Sequence, residues 1–358
     1  MRIKGFVGVL LCLCMMAAVL SGCGKPANQA DGATEAPKVT EAATSDEAKG
    51  DGIDYMALVN KTHKLPDDWE DKLETVHMTN SVGDDVEVEK KAYDAYLLLK
   101  AELEKEGVFV DLDSARRSVA DQQRIMDDFT EKYGKDYALK TVATPGYSEH
   151  HTGLALDLYL IIDGKDVVEN EDMIQYPEIW AKIHAKLADY GFILRYLEGR
   201  EYITGYGYEP WHIRYIDNAE IAKEITAKDI TFEEYLGAYQ GGKAEIDCGT
   251  SAIYTEEELK DAVIQVECKF AFWNGCELKS IRYAGDEAST DKELERMNAI
   301  NPDGKYTQMV KFFMDFHTPK DTGDMTFNPD SDYNDYGWWL ARKDNGGWEV
   351  VTFGYGEE

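Results

Sequence analysis

Two short stretches carry the residue types and spacing for metal chemistry. The first runs from Pro145 to Leu160. A turn containing Gly146 and Gly153 presents His150 and His151. It feeds a run in which Leu154, Leu156, Leu158, Leu160 and Ile162 alternate with Ala155, Asp157, Tyr159 and Ile161. A period of two puts the leucines on one face of a strand and Asp157 on the other, so a carboxylate is held near an imidazole. In the second stretch Glu209 stands three residues before His212, at the start of another alternating run. Trp211, Ile213 and Tyr215 share one face of that run, and His212 and Arg214 share the other. Two histidines and an aspartate make the ligand set of a catalytic Zn²⁺ site with an open fourth position. A nearby glutamate that does not bind the metal is a general base. The residues alone leave His150 and His151 both in contention for the ligand on the turn.

Read together, Ser148-x-His150-x-x-Gly153-x-Ala155-x-Asp157 and Glu209-x-x-His212 resemble the signature of the zinc D-alanyl-D-alanine carboxypeptidases of the vancomycin-resistance (VanY) type. The resemblance runs from about Leu58 to Leu236, and Leu58-Val59-Asn60-Lys61 with Leu65-Pro66 is similar to the family's opening segment. It implies His150, not His151, as the ligand beside Asp157 and His212, with Zn²⁺ as the metal. It also implies Glu209 as general base, Arg117 as the cation facing the oxyanion, and Ser148 and Gln122 as substrate contacts. Where the family usually reads Ser-Gly-Tyr-Arg-Ser, this chain has Ser114-Ala115-Arg116-Arg117-Ser118, so the arginine stays while the wall beside it changes. The implied activity is removal of the terminal D-alanine from peptidoglycan stem peptides by a zinc-activated water. An L,D-carboxypeptidase or a D,D-dipeptidase acting on the same stems fits the same residues. A lipoprotein that only binds zinc or peptidoglycan would be marked by loss of Glu209, Arg117 or a ligand, and all are present.

The elements that must position these residues are legible as patterns. Ala92, Tyr96, Leu99 and Leu103 share one face of a helix over 89–106, stopped by Gly107. Val108, Val110 and Leu112 alternate along a strand that empties into the Arg117 segment. Ser118-x-x-Asp121 then caps a helix carrying Gln122, Ile125, Met126 and Phe129. Trp180, Ile183, Leu187 and Tyr190 face inward on a helix over 176–190, where His184 reads as structural. Residues 192–196 and 201–206 read as a hairpin about 197–200 leading into Glu209. A helix and the segment 231–236 close the domain. The expected fold class is α+β, with helices packed on a small antiparallel sheet that carries the zinc site.

Around that domain (53–240) the chain divides further. Arg2 and Lys4 precede an apolar run ending in Leu20-Ser21-Gly22-Cys23, so residues 1–23 read as a lipoprotein signal with Cys23 lipidated. Residues 24–52 contain no aromatic residue and read as a disordered tether from the membrane. This places the protein outside the cytoplasm, lipid-anchored to the bacterial cell membrane. With 69 acidic against 38 basic residues the formal charge is −31, which argues against nucleic acid and against a polybasic membrane patch. Gly241-Gly242 marks a boundary, and 241–358 reads as a second small α+β domain of unassigned role. It has a capping box at Thr255-x-x-Glu258, a strand over 306–316 and a hairpin about 344–347. Its Trp338, Trp339, Trp348 and Tyr355 read as core rather than as a sugar or protein platform. Of its cysteines, Cys248, Cys268 and Cys276, one disulfide and one free thiol are expected, with Cys268–Cys276 as the pair.

Overall fold

The computed structural model describes residues 52–133, 142–344 and 346–355. Cys23, with the rest of the signal and most of the tether, lies outside the described residues. Among those described, no helix is long and apolar enough to cross a membrane.

The N-terminal unit is α+β. Strands β1 (Thr75–Thr79) and β2 (Asp85–Glu89) form a hairpin that leads into helix α1 (Lys90–Lys105). Then come β3 (Val110–Ser114), α2 (Val119–Tyr133), β4 (Ala155–Ile162), β5 (Lys165–Val167), α3 (Pro177–Leu187), β6 (Phe192–Leu194), the one-turn α4 (Glu201–Thr204) and β7 (His212–Tyr215). Helices α5 (Ala219–Lys228) and α6 (Phe232–Tyr235) close it, α6 with a capping box between Thr231 and Glu234. The sheet order is β3-β4-β7-β6, antiparallel throughout, with β5 also on β4. Its apolar face drives assembly. Leu156, Leu158 and Leu160 are fully buried against Tyr96, Leu99 and Leu103 of α1 and Trp180, Ile183 and Leu187 of α3. Each buried leucine contributes about 1.5–3 kcal/mol. On the opposite face the register sets Asp157 directly across from His212 and Ala155 across from Arg214. Gly153 links this face to α1. It adopts φ +73°, a side chain there would lie 3.3 Å from the Glu89 backbone, and its carbonyl accepts from Glu89 N at 3.1 Å. Glu89 in turn caps α1 through Ala92 N.

The expected hairpin over 192–206 is not formed. β6 pairs with β7 instead, and 201–204 coil into α4 between Gly199 and Gly205, both at positive φ. All four residues of α4 are buried, an arrangement that the alternating exposure of an edge strand cannot give. Coiling aims Tyr202 and Ile203 into the core of the C-terminal unit.

That unit has β8 (Glu245–Asp247), α7 (Glu256–Phe270), β9 (Glu277–Tyr283), α8 (Asp291–Ile300), β10 (Gln308–His317), β11 (Asp332–Arg342) and β12 (Glu349–Gly354). Its sheet runs β12-β11-β10-β9-β8, antiparallel except for β8 against β9. Helix α7 begins with the Thr255–Glu258 capping box and lays Leu259, Ala262, Val266 and Phe270 on the sheet. Trp338, Trp339 and Trp348 are buried, whereas Tyr355 is exposed. The expected disulfide is absent: Cys248, Cys268 and Cys276 are all free. Cys276 is buried in the sheet core, while Cys268 faces the seam between the units, where it feels the charge of Lys61.

The two units meet through a packed seam. Tyr202 Oη accepts from Ala244 N at 3.1 Å, and α4 lies against α7. Across this seam Glu201 and Glu267 are each 3% exposed, and Glu201 Oε2 and Glu267 Oε1 have no hydrogen-bond partner.

Candidate metal centre and catalytic residues

His150 sits on a single 3-10 turn, Glu149–Thr152, directly before β4. Its Nδ1 donates to Ala115 O at 2.7 Å, which leaves the Nε2 lone pair facing Asp157 Oδ2 at 3.1 Å. His212 opens β7 in the reverse sense. Its Nε2 donates to Glu149 Oε2 at 3.1 Å, and its Nδ1 faces Asp157 Oδ1 at 2.9 Å. A ligand atom from each of His150, Asp157 and His212 lies within 4.8 Å of the others. The 2.9 Å approach lacks hydrogen-bond geometry, so the buried Asp157 Oδ1 has no hydrogen-bond partner. Each imidazole thus has its remote nitrogen fixed by an acceptor and its near nitrogen turned to the carboxylate. That is how metal-binding histidines are oriented. Burial would raise the Asp157 carboxyl, but the two imidazoles outweigh it and hold it far below the usual carboxylate range. Two nitrogens and an oxygen with no thiolate among them suit Zn²⁺, and the orphaned Asp157 oxygen fits a cation at this point.

Behind His212 lies a residue that sequence reasoning passed over. Glu149 is buried, and its Oε1 accepts from Arg195 Nε and Arg214 Nη1, both at 2.8 Å. Arg195 also donates to Glu233 at 2.9 and 2.6 Å, and Asn60 Nδ2 donates to Glu233 at 3.0 Å. Arg214 Nη2 donates to the carbonyls of Tyr55 and Ala57. The four buried charges sum to zero. Burial works against the Glu149 carboxylate, yet Arg195 and Arg214 hold its pKa well below the ordinary range. Arg214, two residues from His212 on the same strand face, was the available signal.

The remaining candidates fall around this centre. Arg117 N donates to His150 O at 3.0 Å, and its guanidinium donates to Gln122 Oε1 at 2.9 Å and Ser114 Oγ at 3.3 Å. Gln122 is 1% exposed and donates through Nε2 to Ala143 O at 2.8 Å, so its amide anchors the arginine at one end and the backbone at the other. Ser148 is buried at the N-cap of the 3-10 turn. His151 is occupied at both nitrogens: Nε2 accepts from Gly146 N at 3.0 Å, and Nδ1 donates to Arg117 O at 2.7 Å. It pins the turn and is not among the converging ligand atoms. Glu209 Oε2 lies 3.8 Å from His212 Nδ1, with its side chain 31% exposed. Burial and then Asp157 push its carboxyl up to about 7, against the opposing charges of His212 and Lys61. His184 Nε2 donates to Pro210 O at 2.9 Å, so this helix side chain fixes the step between Glu209 and His212. Tyr196 packs its ring 4.7 Å from that of His212.

The family profile described as VanY, D-alanyl-D-alanine carboxypeptidase, matches residues 85–218, which hold all of these groups except Lys61, Tyr55, Ala57, Asn60 and Glu233. YodJ of Bacillus subtilis (strain 168) is 36% identical over 185 residues, covering 51% of this chain and 66% of its own length. The bifunctional D-Ala-D-Ala dipeptidase and D-Ala-D-Ala carboxypeptidase VanXYC of Enterococcus gallinarum is 34% identical over 192 residues, 51% of this chain and 94% of that protein. A solved structure of the vancomycin resistance D,D-pentapeptidase VanY in complex with Zn(II) is 29% identical. It covers 51% of this chain and 98% of that chain at a TM-score of 0.43. The profile falls on the site-bearing residues and the identity to VanXYC extends over nearly all of that protein, so the chain belongs to the VanY family of D-alanyl-D-alanine carboxypeptidases.

Proposed function

We propose that the protein is a zinc-dependent carboxypeptidase that removes the terminal D-alanine from peptidoglycan stems ending in D-Ala-D-Ala, working outside the membrane on a lipid tether at Cys23. The observation that carries this reading is the partly buried Glu209 carboxylate beside His212, at the edge of the His150, Asp157 and His212 cluster. Those three residues would hold the metal, which when bound supplies a Lewis acid that activates water and polarises the scissile carbonyl. Glu209 takes the proton of the attacking water and returns it to the leaving nitrogen. Arg117, locked by Gln122 and Ser114, offers its guanidinium to the oxyanion that develops as the carbonyl becomes tetrahedral. Because Gln122 is engaged at both ends, its contribution to substrate passes through Arg117. Ser148 contacts the substrate from the head of the turn that carries His150.

The relative named for both dipeptidase and carboxypeptidase activity supports a second reading, cleavage of free D-Ala-D-Ala. Zinc-loaded protein incubated with pentapeptide stems, tetrapeptide stems and free D-Ala-D-Ala, followed by mass analysis, separates the cases. Loss of one alanine from the pentapeptide is expected. Cleavage confined to the tetrapeptide would assign an L,D-carboxypeptidase, and cleavage confined to the free dipeptide a dipeptidase. Binding of stems without release of D-alanine from any of them would make the protein a binder.

A further inference from the structure

Three segments close around the turn that carries His150. The first is 65–70, where Leu65 N donates to Gly146 O at 2.8 Å and Trp69 Nε1 donates to Thr152 O at 3.1 Å. The second is β2, whose Glu89 N donates to Gly153 O at 3.1 Å. The third is 115–117, which is laced to the turn in both directions. His150 Nδ1 donates to Ala115 O at 2.7 Å, Arg117 N donates to His150 O at 3.0 Å, and His151 Nδ1 donates to Arg117 O at 2.7 Å.

Arg116 joins these segments to one another. Its Nη1 donates to Glu87 Oε2 and its Nη2 to Glu70 Oε2, both at 2.6 Å, while its backbone N donates to Glu87 O at 2.7 Å. Glu87 belongs to β2 and Glu70 follows Trp69, so one guanidinium ties the third segment to the other two. Thr75 Oγ1 donates to Glu87 Oε1 at 2.7 Å, which fixes that carboxylate from β1. The Arg116 side chain is only 16% exposed, so its pairs are less screened than those of a surface arginine. The neighbours of Arg116 on either side serve the metal centre differently. Ala115 O orients the imidazole of His150, and Arg117 offers its guanidinium to the oxyanion. A shift of 115–117 therefore displaces a metal ligand and the oxyanion cation together. We propose that Arg116, a departure from the family pattern, is a positioning residue that holds His150 and Arg117 in register with each other by pinning 115–117 to Glu87 and Glu70. The link to Arg117 rests on the carboxypeptidase reading above, whereas the link to His150 rests on the metal-ligand set alone.

The test uses the full chain and reads zinc affinity by competition with a chelating dye, then kcat and KM on a stem peptide ending in D-Ala-D-Ala. Arg116→Met keeps an unbranched stem but removes both ion pairs. Zinc affinity should fall about 3- to 10-fold, less than the 10- to 100-fold common for a direct partner of a metal-bound histidine, because Arg116 acts one step further out. kcat should fall about tenfold with KM nearly unchanged, since the displaced guanidinium meets charge that exists only in the transition state. Arg116→Lys, which can keep one of the pairs, should recover part of both losses. In an Arg117→Ala background, Arg116→Met should lower zinc affinity as before but take nothing further from kcat. An equal further loss of kcat in that background would overturn the link to Arg117. Zinc affinity at the parent level in a folded Arg116→Met protein would overturn the link to His150. Should Arg116→Met fail to fold, Glu70→Gln removes the more exposed pair and carries the same test, with a few-fold loss of zinc affinity expected and parent affinity contradicting the proposal. A parent that releases no D-alanine, with zinc affinity still lowered by Arg116→Met, would sink the hydrolase reading and keep Arg116 in its role towards His150.

Discussion

Two buried acidic clusters, one behind the metal centre and one in the seam between the units, solve the same electrostatic problem in opposite ways. Glu149 and Glu233 are matched by Arg195 and Arg214, every charge is hydrogen-bonded, and the network ends on a metal-facing histidine. Glu201 and Glu267 meet across the seam with a buried oxygen unpartnered on each. Burial and mutual repulsion push the Glu267 carboxyl well above the ordinary range, and Glu201 is raised mainly by burial. A satisfied buried network fixes a geometry, whereas an unsatisfied one leaves a contact whose strength depends on protonation.

The largest expected effect comes from breaking the first cluster. Glu149→Gln leaves Arg195 and Arg214 buried with one counter-charge fewer and takes the carboxylate from His212 Nε2. Stability to urea should fall by about 3–5 kcal/mol, the usual loss when one partner of a buried ion pair is removed. Zinc affinity, measured by competition with a chelating dye, should fall about 10- to 100-fold, as is common for partners of metal-bound histidines. Unchanged zinc affinity in a folded Glu149→Gln protein would remove Glu149 from the account of the site.

Breaking the second cluster should act in the other direction. A carboxyl whose pKa is raised by folding costs stability above its unfolded value, and the cost grows as pH rises towards the folded one. Glu267→Gln should therefore stabilise the protein by about 1–3 kcal/mol at mildly alkaline pH, in the range of an unsatisfied buried polar group. The gain should disappear at about pH 3, below the ordinary glutamate pKa of about 4.3, where both carboxyls are protonated in either state. Thermal melts across that range would show it. A variant no more stable than the parent at alkaline pH would mean that water satisfies the pair.

A smaller effect is expected at His184, beside the metal centre. His184 holds the Pro210 carbonyl between the proposed base and a proposed ligand. His184→Ala should cost about 1 kcal/mol, the worth of one ordinary hydrogen bond. It should lower kcat more than it raises KM, since what shifts is the position of Glu209. Equal changes in both would make His184 a packing residue only.

The converging groups were legible where the pattern is local. His150 and Asp157 are a turn and a strand apart, and period-two alternation puts Asp157 away from the leucines that build the core. Glu149 was not legible, because what distinguishes it from any other turn glutamate is Arg195, Arg214 and His212, brought in by sheet pairing from far along the chain. The segment 201–206 misled for a related reason. Tyr202, Ile203 and Thr204 favour a strand locally, but burying all of them against another unit requires a helical turn. The C-terminal tryptophans read correctly as core, and the cysteine count could not show that Cys268 lies at a seam and Cys276 in a core.

Base and metal ligand are separated most directly by Glu209→Gln, measured for zinc content and for D-alanine release from a D-Ala-D-Ala stem in the same preparation. Glutamine keeps the shape of the side chain but cannot take up a proton. Both proteins should hold about one zinc per chain, through the three-ligand set. Turnover should be lowered about 10²–10⁴-fold in the variant, the usual worth of a positioned acid–base group. Turnover at the parent rate, or loss of zinc together with activity, would contradict the assignment of Glu209 as a base that does not bind the metal.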